Sequence, residues 1–379
     1  MTYMERALRL RNFIMAKKYK WLLKPIFFRA DPEKIHDGMS ALLRLAGNFS
    51  ITRKIAYFLW GYKHPALVQD ILGIKFPNPI GLSAGFDKDA KLINIMPSLG
   101  FGFTEVGSVT GEASDGNPKP RLWRLKKSKS LVVYYGLKNE GCEIISDRLK
   151  DKKFPLPVGI SIAKTNSKDT AEDGSAVADY FKAYQAFAGI GDYATINISC
   201  PNAYGGQPFT DSEKLERLLR KIFSVPKTKP VFLKLSPDLG PDEIDKIIQV
   251  STKFPIDGFV CTNLTKNRDK DLNKNLVDEN IPAQGGISGK VVGKLSDELV
   301  RYVYKKTGGW PKKPVIIGVG GVSSAEDAYR KIKAGASLIE LITGMIFEGP
   351  QLMSSINMGL VKLLEADGYK NISEAVGTE

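Results

Sequence analysis

A polar hexapeptide, Asn197-Ile198-Ser199-Cys200-Pro201-Asn202, combines one thiol with two carboxamides. Two amides can hold a planar polar substrate by hydrogen bonds while a neighbouring thiol exchanges a proton. The apolar run Tyr193–Ile196 precedes it, which predicts that the cluster stands where a buried strand ends and a loop begins. On this segment alone, the alternative is a strand end followed by an ordinary Asn/Pro turn.

The composition disfavours several other chemistries. The 379 residues contain three cysteines without a C-x-x-C or Cys/His spacing, so neither a disulfide framework nor a metal site is predicted. The two histidines, His36 and His64, lie far in sequence from the polar clusters, which disfavours a Ser-His-Asp triad. The length allows one large α/β domain with an extension, or two domains.

Short β-rich apolar segments, separated mostly by helix-length amphipathic stretches, must position these residues. The segments are Asn78–Gly85, Gly102–Thr110, Pro157–Lys164, Tyr193–Cys200, Pro230–Pro237, Asp257–Asn263, Pro314–Val322 and Ser337–Gly344. Eight βα units predict an α/β fold of the (β/α)8 TIM-barrel type, which usually has about 250 residues. A doubly wound open sheet would normally show a G-x-G-x-x-G turn after its first strand, whereas this chain has Gly85-Phe86-Asp87-Lys88-Asp89 there.

In such a barrel, chemistry gathers at the carboxyl ends of the strands. The predicted strand ends carry Lys88, Ser108, the hexapeptide, Lys234 and Thr262-Asn263. The last two strands end in Gly320-Gly321 and Thr343-Gly344, whose backbone N–H groups can bind the phosphate of a substrate or of flavin mononucleotide (FMN).

Lys234 favours the flavin. It lies inside the apolar run Val231–Leu235, so its ammonium should point into the barrel mouth, where a buried charge needs an anion or a strong acceptor. The N1/O2 edge of a reduced flavin is such an acceptor. The alternative is a structural lysine paired with an acidic residue at the rim.

The N-terminal arm is strongly basic. Residues 1–63 hold 13 Lys/Arg against 4 Asp/Glu, in a chain of formal charge +14. Apolar residues alternate with these charges, which suits a lipid interface better than nucleic acid: Trp21, Leu22, Leu23, Ile26, Phe27 and Phe28. No apolar run reaches the roughly 20 residues that span a bilayer, and lysines interrupt any signal-peptide core. The arm is therefore predicted to bind a membrane peripherally, with a solvated basic helix packed on the main domain as the alternative.

Several spaced motifs resemble dihydroorotate dehydrogenases: Ala84–Lys88, the hexapeptide, Ile316–Val322 and Gly335–Leu338. The resemblance covers nearly the whole chain, and Asp31–His36 is similar to the small helical domain of the membrane-associated, quinone-dependent class. Asp31 fits a helix N-cap and Pro32 the first helical position. The resemblance implies a helical quinone-tunnel domain over residues 1–65 and an FMN-binding catalytic barrel over residues 66–379.

The resemblance also implies roles for individual residues. FMN would contact Ala84, Gly85, Lys88, Ser108, Asn197, Lys234, Thr262, Ser288, Gly289, Gly320, Gly321, Thr343 and Gly344. Lys88, Asn197, Asn202 and Asn263 would bind dihydroorotate. Cys200 would remove the C5 proton while hydride leaves C6 for the flavin, in de novo pyrimidine synthesis. Quinone would then take the electrons in a tunnel lined by His36 and Arg124, although His36 could instead be a packing residue.

The chain departs from the family pattern at several positions. Cys200 stands where the quinone-dependent class normally has serine, and a thiol is the more easily ionised base. Val133 stands where an asparagine that binds the substrate is expected. Leu264, Ala203 and Ser161 also replace more polar residues, so the substrate could be another, less polar cyclic amide or enone. A phosphate-binding barrel without catalysis is a third hypothesis. The expected location is the cytoplasmic face of a bacterial cell membrane, or alternatively the mitochondrial inner membrane.

Overall fold

The computed structural model describes residues 3–271 and 273–379. Its strands are β1 (Gln69–Ile71), β2 (Ile74–Phe76), β3 (Ile80–Leu82), β4 (Phe103–Val109), β5 (Leu122–Leu125), β6 (Ser130–Val133), β7 (Val158–Ile162), β8 (Tyr193–Asn197), β9 (Val231–Leu235), β10 (Gly258–Cys261), β11 (Gly286–Gly289), β12 (Val315–Val319) and β13 (Leu338–Leu341).

The α-helices surround these strands. They are α1 (Tyr3–Lys18), α2 (Lys24–Phe27), α3 (Pro32–Asn48), α4 (Ser50–Trp60), α5 (Cys142–Leu149), α6 (Asp173–Ala186), α7 (Ser212–Ile222), α8 (Pro241–Ser251), α9 (Gly293–Lys306), α10 (Ala325–Lys333), α11 (Thr343–Glu348) and α12 (Leu352–Asp367). A turn of π-helix, Tyr19–Leu23, joins α1 to α2.

A closed parallel barrel forms the centre of the fold. Within the described residues, eight strands follow one another around it in chain order: β3, β4, β7, β8, β9, β10, β12 and β13. Every one of them falls inside a segment predicted from the apolar pattern, so the predicted (β/α)8 barrel is confirmed. All residues of β7, β8 and β9 are buried, as expected of parallel strands that are covered on both faces.

The amino-terminal end of the barrel is closed by a hairpin. β1 and β2 pair antiparallel, and Phe76 of β2 contacts Phe103 edge to face with ring centroids 5.4 Å apart. Tyr193 and Phe232 meet in the same way beside them. These rings form one buried cluster. The open end of the barrel is therefore the carboxyl end of its strands.

A small sheet lies at that carboxyl end and was not predicted from the sequence. β5 and β6 form a hairpin, and β11 pairs antiparallel with β6 through the register Gly286–Val133. β6 and β11 are separated by more than 150 residues in the chain, so local patterning could not reveal their pairing.

The N-terminal helices begin as the sequence predicts. Asp31 caps α3 by accepting a hydrogen bond from the Lys34 N–H at 2.9 Å, and Pro32 is the first helical residue. Gly47 of α3 packs against Ile95, in the segment that leads from β3 to β4. None of the described helices combines the length and apolar character needed to cross a bilayer.

Candidate active site

Two adjoining cavities lie at the carboxyl end of the barrel. The larger, called here the Cys200 cavity, measures about 980 Å³ and is lined by His36, Lys88, Ser108, Asn197, Cys200, Asn202 and Asn263 among others. The second, called the glycine cavity, measures about 730 Å³ and is lined by Thr262, Gly289, Gly320, Gly321 and Gly344. Ala84, Lys234, Ser288 and Thr343 line both. The expected FMN-contacting residues thus all line one of two connected spaces.

Asn197 is the centre of a polar network on one wall of the Cys200 cavity. Its Nδ2 donates to Ser108 Oγ at 2.9 Å, and its Oδ1 accepts from Asn263 Nδ2 at 3.1 Å. Ser199 adds a second acceptor for Asn263 at 3.1 Å. The sequence analysis did not single out Ser199, although it lies inside the hexapeptide. Because each amide is held by the others, the wall has a fixed pattern of donors and acceptors.

The nitrogen of the Asn202 side-chain amide is hydrogen-bonded, whereas its oxygen is not. Its Nδ2 donates to the backbone oxygen of Val133 at 2.8 Å, whereas its buried Oδ1 has no hydrogen-bond partner in the described structure. A buried oxygen without a donor is unfavourable by about 1 to 3 kcal/mol. The Val133 carbonyl therefore orients Asn202 as an acceptor for a ligand N–H.

Part of the Cys200 cavity lining is apolar. The half-buried side chains of Val133 and Leu264 line the Cys200 cavity at positions where the sequence comparison expected polar groups. Leu122, Leu131 and Ile346 extend this apolar lining. Sequence analysis missed these three, because an apolar residue at a rim carries no chemical signature of its own.

Lys88 and Cys200 are two of the ionisable residues that line the Cys200 cavity. Burial lowers the pKa of Lys88 to about 8, against the raising effect of Asp37 and Asp89, so the ammonium remains largely charged at neutral pH. Its Nζ lies 4.0 Å from the centroid of the Tyr135 ring, a cation–π contact that the sequence analysis did not foresee. Burial raises the pKa of the half-buried Cys200 thiol, while the N–H of Asn202 and the charge of Lys164 partly offset that rise.

Lys234 has the acidic partner that the structural alternative requires, while its contact with a flavin stays a prediction. Its buried Nζ lies 3.4 Å from Glu105 Oε1 inside the barrel, and the same residue lines both cavities. Burial, followed by the charge of Glu105, raises the pKa of Glu340 to about 8. Glu105 is the carboxylate that forms the ion pair with Lys234.

Two glycines that line the glycine cavity adopt a backbone conformation that other residues rarely adopt. Gly320 and Gly321 have positive φ angles of 117° and 75°. A Cβ at Gly321 would lie 2.3 Å from the Cα of Gly293, so only glycine allows α9 to approach the end of β12 this closely. Ser288 and Thr343 exchange a hydrogen bond of 2.8 Å where β11 meets α11.

His36 and Arg124 have different surroundings. His36 lines the Cys200 cavity, its Nε2 lies 3.0 Å from the Phe86 oxygen, and burial, followed by the charge of Lys88, lowers its pKa to about 4. Arg124 lines neither of the two cavities. Its guanidinium stacks 4.8 Å from the centroid of the Phe28 ring and donates to the oxygen of Ala30 at 2.8 Å.

The closed barrel and its rim of thiol, amide and ammonium groups define an enzyme of the (β/α)8-barrel class. Residues 66–364 match the family described as dihydroorotate dehydrogenase. The chain belongs to that family, whose members are oxidoreductases. The family predicted from the spaced motifs is confirmed.

Similar proteins span nearly the same length as this chain. The "Dihydroorotate dehydrogenase (quinone)" of Natronomonas pharaonis is 39% identical over 358 residues, which cover 94% of this chain and 98% of that protein. The protein of the same name from Roseiflexus sp. is 36% identical over 94% of this chain and 97% of its own. The crystal structure of DHODH in complex with ferulenol from Eimeria tenella superposes with a TM-score of 0.79 at 28% identity, covering 92% of this chain and 95% of that one.

Proposed function

We propose that this protein oxidises dihydroorotate to orotate and passes the electrons to a quinone, as a step of de novo pyrimidine synthesis. The observation that carries the proposal is the convergence of Cys200, Lys88 and three asparagines on one cavity beside a glycine-lined one. The relatives named as quinone-dependent dihydroorotate dehydrogenases support it, since they match almost end to end.

FMN fits the two adjoining cavities. Backbone N–H groups of Gly320, Gly321 and Gly344 offer donors for a phosphate in the glycine cavity. Lys234, at the junction of the cavities, offers a cation for the electron-rich edge of a flavin ring. When bound, FMN supplies the hydride acceptor and the electron carrier to the quinone.

The amides and Lys88 hold the substrate. The unpaired Oδ1 of Asn202 suits a ring N–H of a dihydropyrimidine, and the Asn197–Asn263 pair offers further groups to the ring amides. The Lys88 ammonium suits the substrate carboxylate, because a cation in a partly desolvated site strengthens such a pair. These contacts would fix the ring above Cys200.

Cys200 is the proposed general base. Its thiolate would take the C5 proton of the substrate onto Sγ while the electron pair of the C6–H bond leaves as hydride. Because the pKa of the thiol is raised, the thiolate is a minor species at neutral pH and the proton transfer should accelerate as the pH rises.

The quinone is proposed to bind at the apolar edge of the Cys200 cavity and on the N-terminal helices, residues 1–65. His36 at that edge is neutral at physiological pH because its pKa is about 4, so its own side chain presents no charge to an apolar quinone. Among the described residues, 15 of the 18 large hydrophobic side chains that are exposed lie between Met4 and Phe58. An apolar surface of this extent, in a basic arm, suits peripheral binding to the cytoplasmic face of a bacterial membrane.

An anaerobic titration tests the proposal. FMN-loaded protein should lose its yellow colour when dihydroorotate is added without oxygen, and a short-chain quinone should then restore the colour. A Cys200→Ala variant with the same FMN content should bleach far more slowly. An FMN-loaded wild type that dihydroorotate does not bleach would refute the proposed substrate.

A second function is favoured by the apolar lining alone. Val133 and Leu264 offer no hydrogen bond to a polar ring, which suits a less polar cyclic amide or enone. Under this reading, Val133→Asn should create or enhance dihydroorotate turnover, whereas Val133→Thr, which has the same shape and no amide, should not. Efficient turnover by the wild type with no gain in Val133→Asn would reject the second function.

A further inference from the structure

A third, small cavity lies behind Cys200 and has no part in the contacts described so far. It measures about 220 Å³ and is lined by Cys200, Lys164, Tyr180, Gly206 and Phe209, among others. Cys200 lines both this rear cavity and the Cys200 cavity, as do Asn197 and Leu137. Lys164 is the one side chain that carries a full charge among the residues lining the rear cavity in the described structure.

Lys164 is a buried ammonium held by carbonyl groups. It follows β7 by two residues and is 3% exposed. Its Nζ donates to the Thr170 oxygen at 3.2 Å and to the Tyr204 oxygen at 2.5 Å, and the charge of the Asp179 carboxylate raises its pKa against the effect of burial. An ammonium has three N–H donors, so one remains beyond these two carbonyls.

The carbonyl of Tyr204 belongs to the loop that carries the thiol. This loop begins after Asn197 and includes Cys200, and its Gly205 and Gly206 have positive φ angles of 75° and 72°. Two successive glycines give this loop conformational freedom, which is restricted by the Lys164 contact together with the bond from the Tyr204 N–H to Asn166 Oδ1 at 2.6 Å. Lys164 therefore ties the loop back to the end of a rigid barrel strand.

The other charged and titratable groups around the thiol are already engaged or face solvent. Tyr180 donates its hydroxyl to the Asn197 oxygen at 2.7 Å, and both oxygens of Asp179 accept bonds from Thr165. Lys266 is exposed on the loop after β10, and Lys88 and Lys138 line the Cys200 cavity. Lys164 is thus the buried cation on the rear side of the thiol.

We propose that Lys164 is a positioning residue for proton transfer, which fixes the Cys200 loop and stabilises the thiolate form of Cys200 from the rear cavity. The proposal rests on the proposed function for its consequence in catalysis. The pKa shifts of the two groups are consistent with this role. Burial lowers the pKa of Lys164, and the charge of Cys200 raises it. The charge of Lys164 in turn lowers the pKa of Cys200. A buried cation has a stronger effect than an exposed one, because solvent screens the latter.

The pH dependence of Cys200 alkylation tests this directly. Iodoacetamide reacts with the thiolate, so its rate on the full-length, FMN-loaded protein reports the pKa of the thiol, and peptide mass spectrometry assigns the modified cysteine. Lys164→Gln removes the charge but keeps donors for the carbonyls, Lys164→Met removes both, and Lys164→Arg keeps the charge. Lys266→Met is the matched control for an exposed lysine near the same thiol.

We expect the alkylation midpoint to rise by about one pH unit in Lys164→Gln, which slows alkylation roughly tenfold at a fixed pH below the midpoint. Lys164→Arg should stay near the wild type, and Lys266→Met should shift far less than Lys164→Gln. An unchanged midpoint in Lys164→Gln would overturn the proposal, even if Lys164→Met fails to fold. Flavin bleaching by dihydroorotate should show the same alkaline shift. A shifted alkylation midpoint in a protein that dihydroorotate does not bleach would uphold the role of Lys164 and reject the proposed substrate.

Discussion

The ion pair between Glu33 and Arg121 ties the N-terminal helices to the barrel, and its removal gives a prediction of defined size. Both residues are 4% exposed. Arg121 donates to Glu33 through Nε at 3.1 Å and Nη2 at 2.8 Å, while its Nη1 bonds the oxygens of Asp115 and Asn117. Arg121→Met keeps the aliphatic volume and leaves the Glu33 carboxylate buried without this partner.

Loss of one partner of a buried ion pair typically destabilises a protein by about 3 to 5 kcal/mol. Lys119 lies 3.4 Å from the same carboxylate, but its side chain is 63% exposed, so it can replace Arg121 only in part. We therefore expect Arg121→Met to lower the free energy of unfolding by about 3 kcal/mol at pH 7. Lys119→Met, the matched control, should lower it by less than about 1 kcal/mol.

The pH dependence of this loss has a defined sign. Burial raises the pKa of Glu33, but the hydrogen bonds and charge of Arg121 more than offset that effect, so the pKa in the folded protein is lowered. A carboxyl group of this kind stabilises the fold above its unfolded pKa of about 4.3 and loses that contribution as the pH falls through the folded value. The difference between wild type and Arg121→Met should therefore be complete at pH 7 and shrink below about pH 4.

Urea unfolding at pH 7 and at about pH 3 measures both quantities, and the double variant Glu33→Gln/Arg121→Met provides the coupling energy. Because His36 lies on the same helix as Glu33, displacement of α3 should also slow quinone reduction more than flavin bleaching. A loss below about 1 kcal/mol in Arg121→Met, equal to that in Lys119→Met, would refute the assignment of a buried, strongly coupled pair.

Three further outcomes follow from the site and the helical surface. Flavin bleaching by dihydroorotate should accelerate roughly tenfold per pH unit between pH 6 and pH 8 because the pKa of Cys200 is raised, and a rate plateau below pH 7 in stopped-flow measurements would contradict that. Asn202→Asp turns a carboxylate oxygen toward the Val133 carbonyl, so kcat/KM should fall at least about tenfold while the FMN content stays unchanged. A parallel loss of FMN would mean that the pocket itself had collapsed. Trp21 is 77% exposed, and Trp21→Ser should weaken binding to anionic vesicles by roughly tenfold. Ile144 is 55% exposed on α5, and Ile144→Ser should leave this binding unchanged. Equal effects of the two substitutions in a cosedimentation assay would count against a membrane-facing arm.

The barrel could be predicted from the sequence because its strands are covered on both faces. β7, β8 and β9 appear as continuous apolar runs, and each ends at a residue with a polar side chain or at a short turn. β11 could not be predicted in this way. It has four residues, two of them glycine, and it exists because β6 pairs with it across a long stretch of chain.

The position of the site could be predicted, but the hydrogen bonds and ion pairs between its residues could not. Strand ends place Lys88, Asn197 and Lys234 on one rim whatever their partners are. The free oxygen of Asn202 depends on a backbone carbonyl of Val133, and backbone acceptors are invisible in a sequence. The pairing of Lys234 with Glu105 similarly depends on the register of two strands that are far apart in the chain.

The β1–β2 hairpin has a consequence for the movement of reactants. Since aromatic rings seal the amino-terminal end of the barrel, any molecule that enters the described cavities must leave at the same rim. Substrate and electron acceptor therefore cannot approach from opposite ends of the barrel axis. An inhibitor anchored on the apolar side near Leu122 and Ile346 could therefore be extended sideways until it also covers the amides. Such a bridging compound would block both half-reactions, and its selectivity would depend on Val133, which marks the boundary between the two sides.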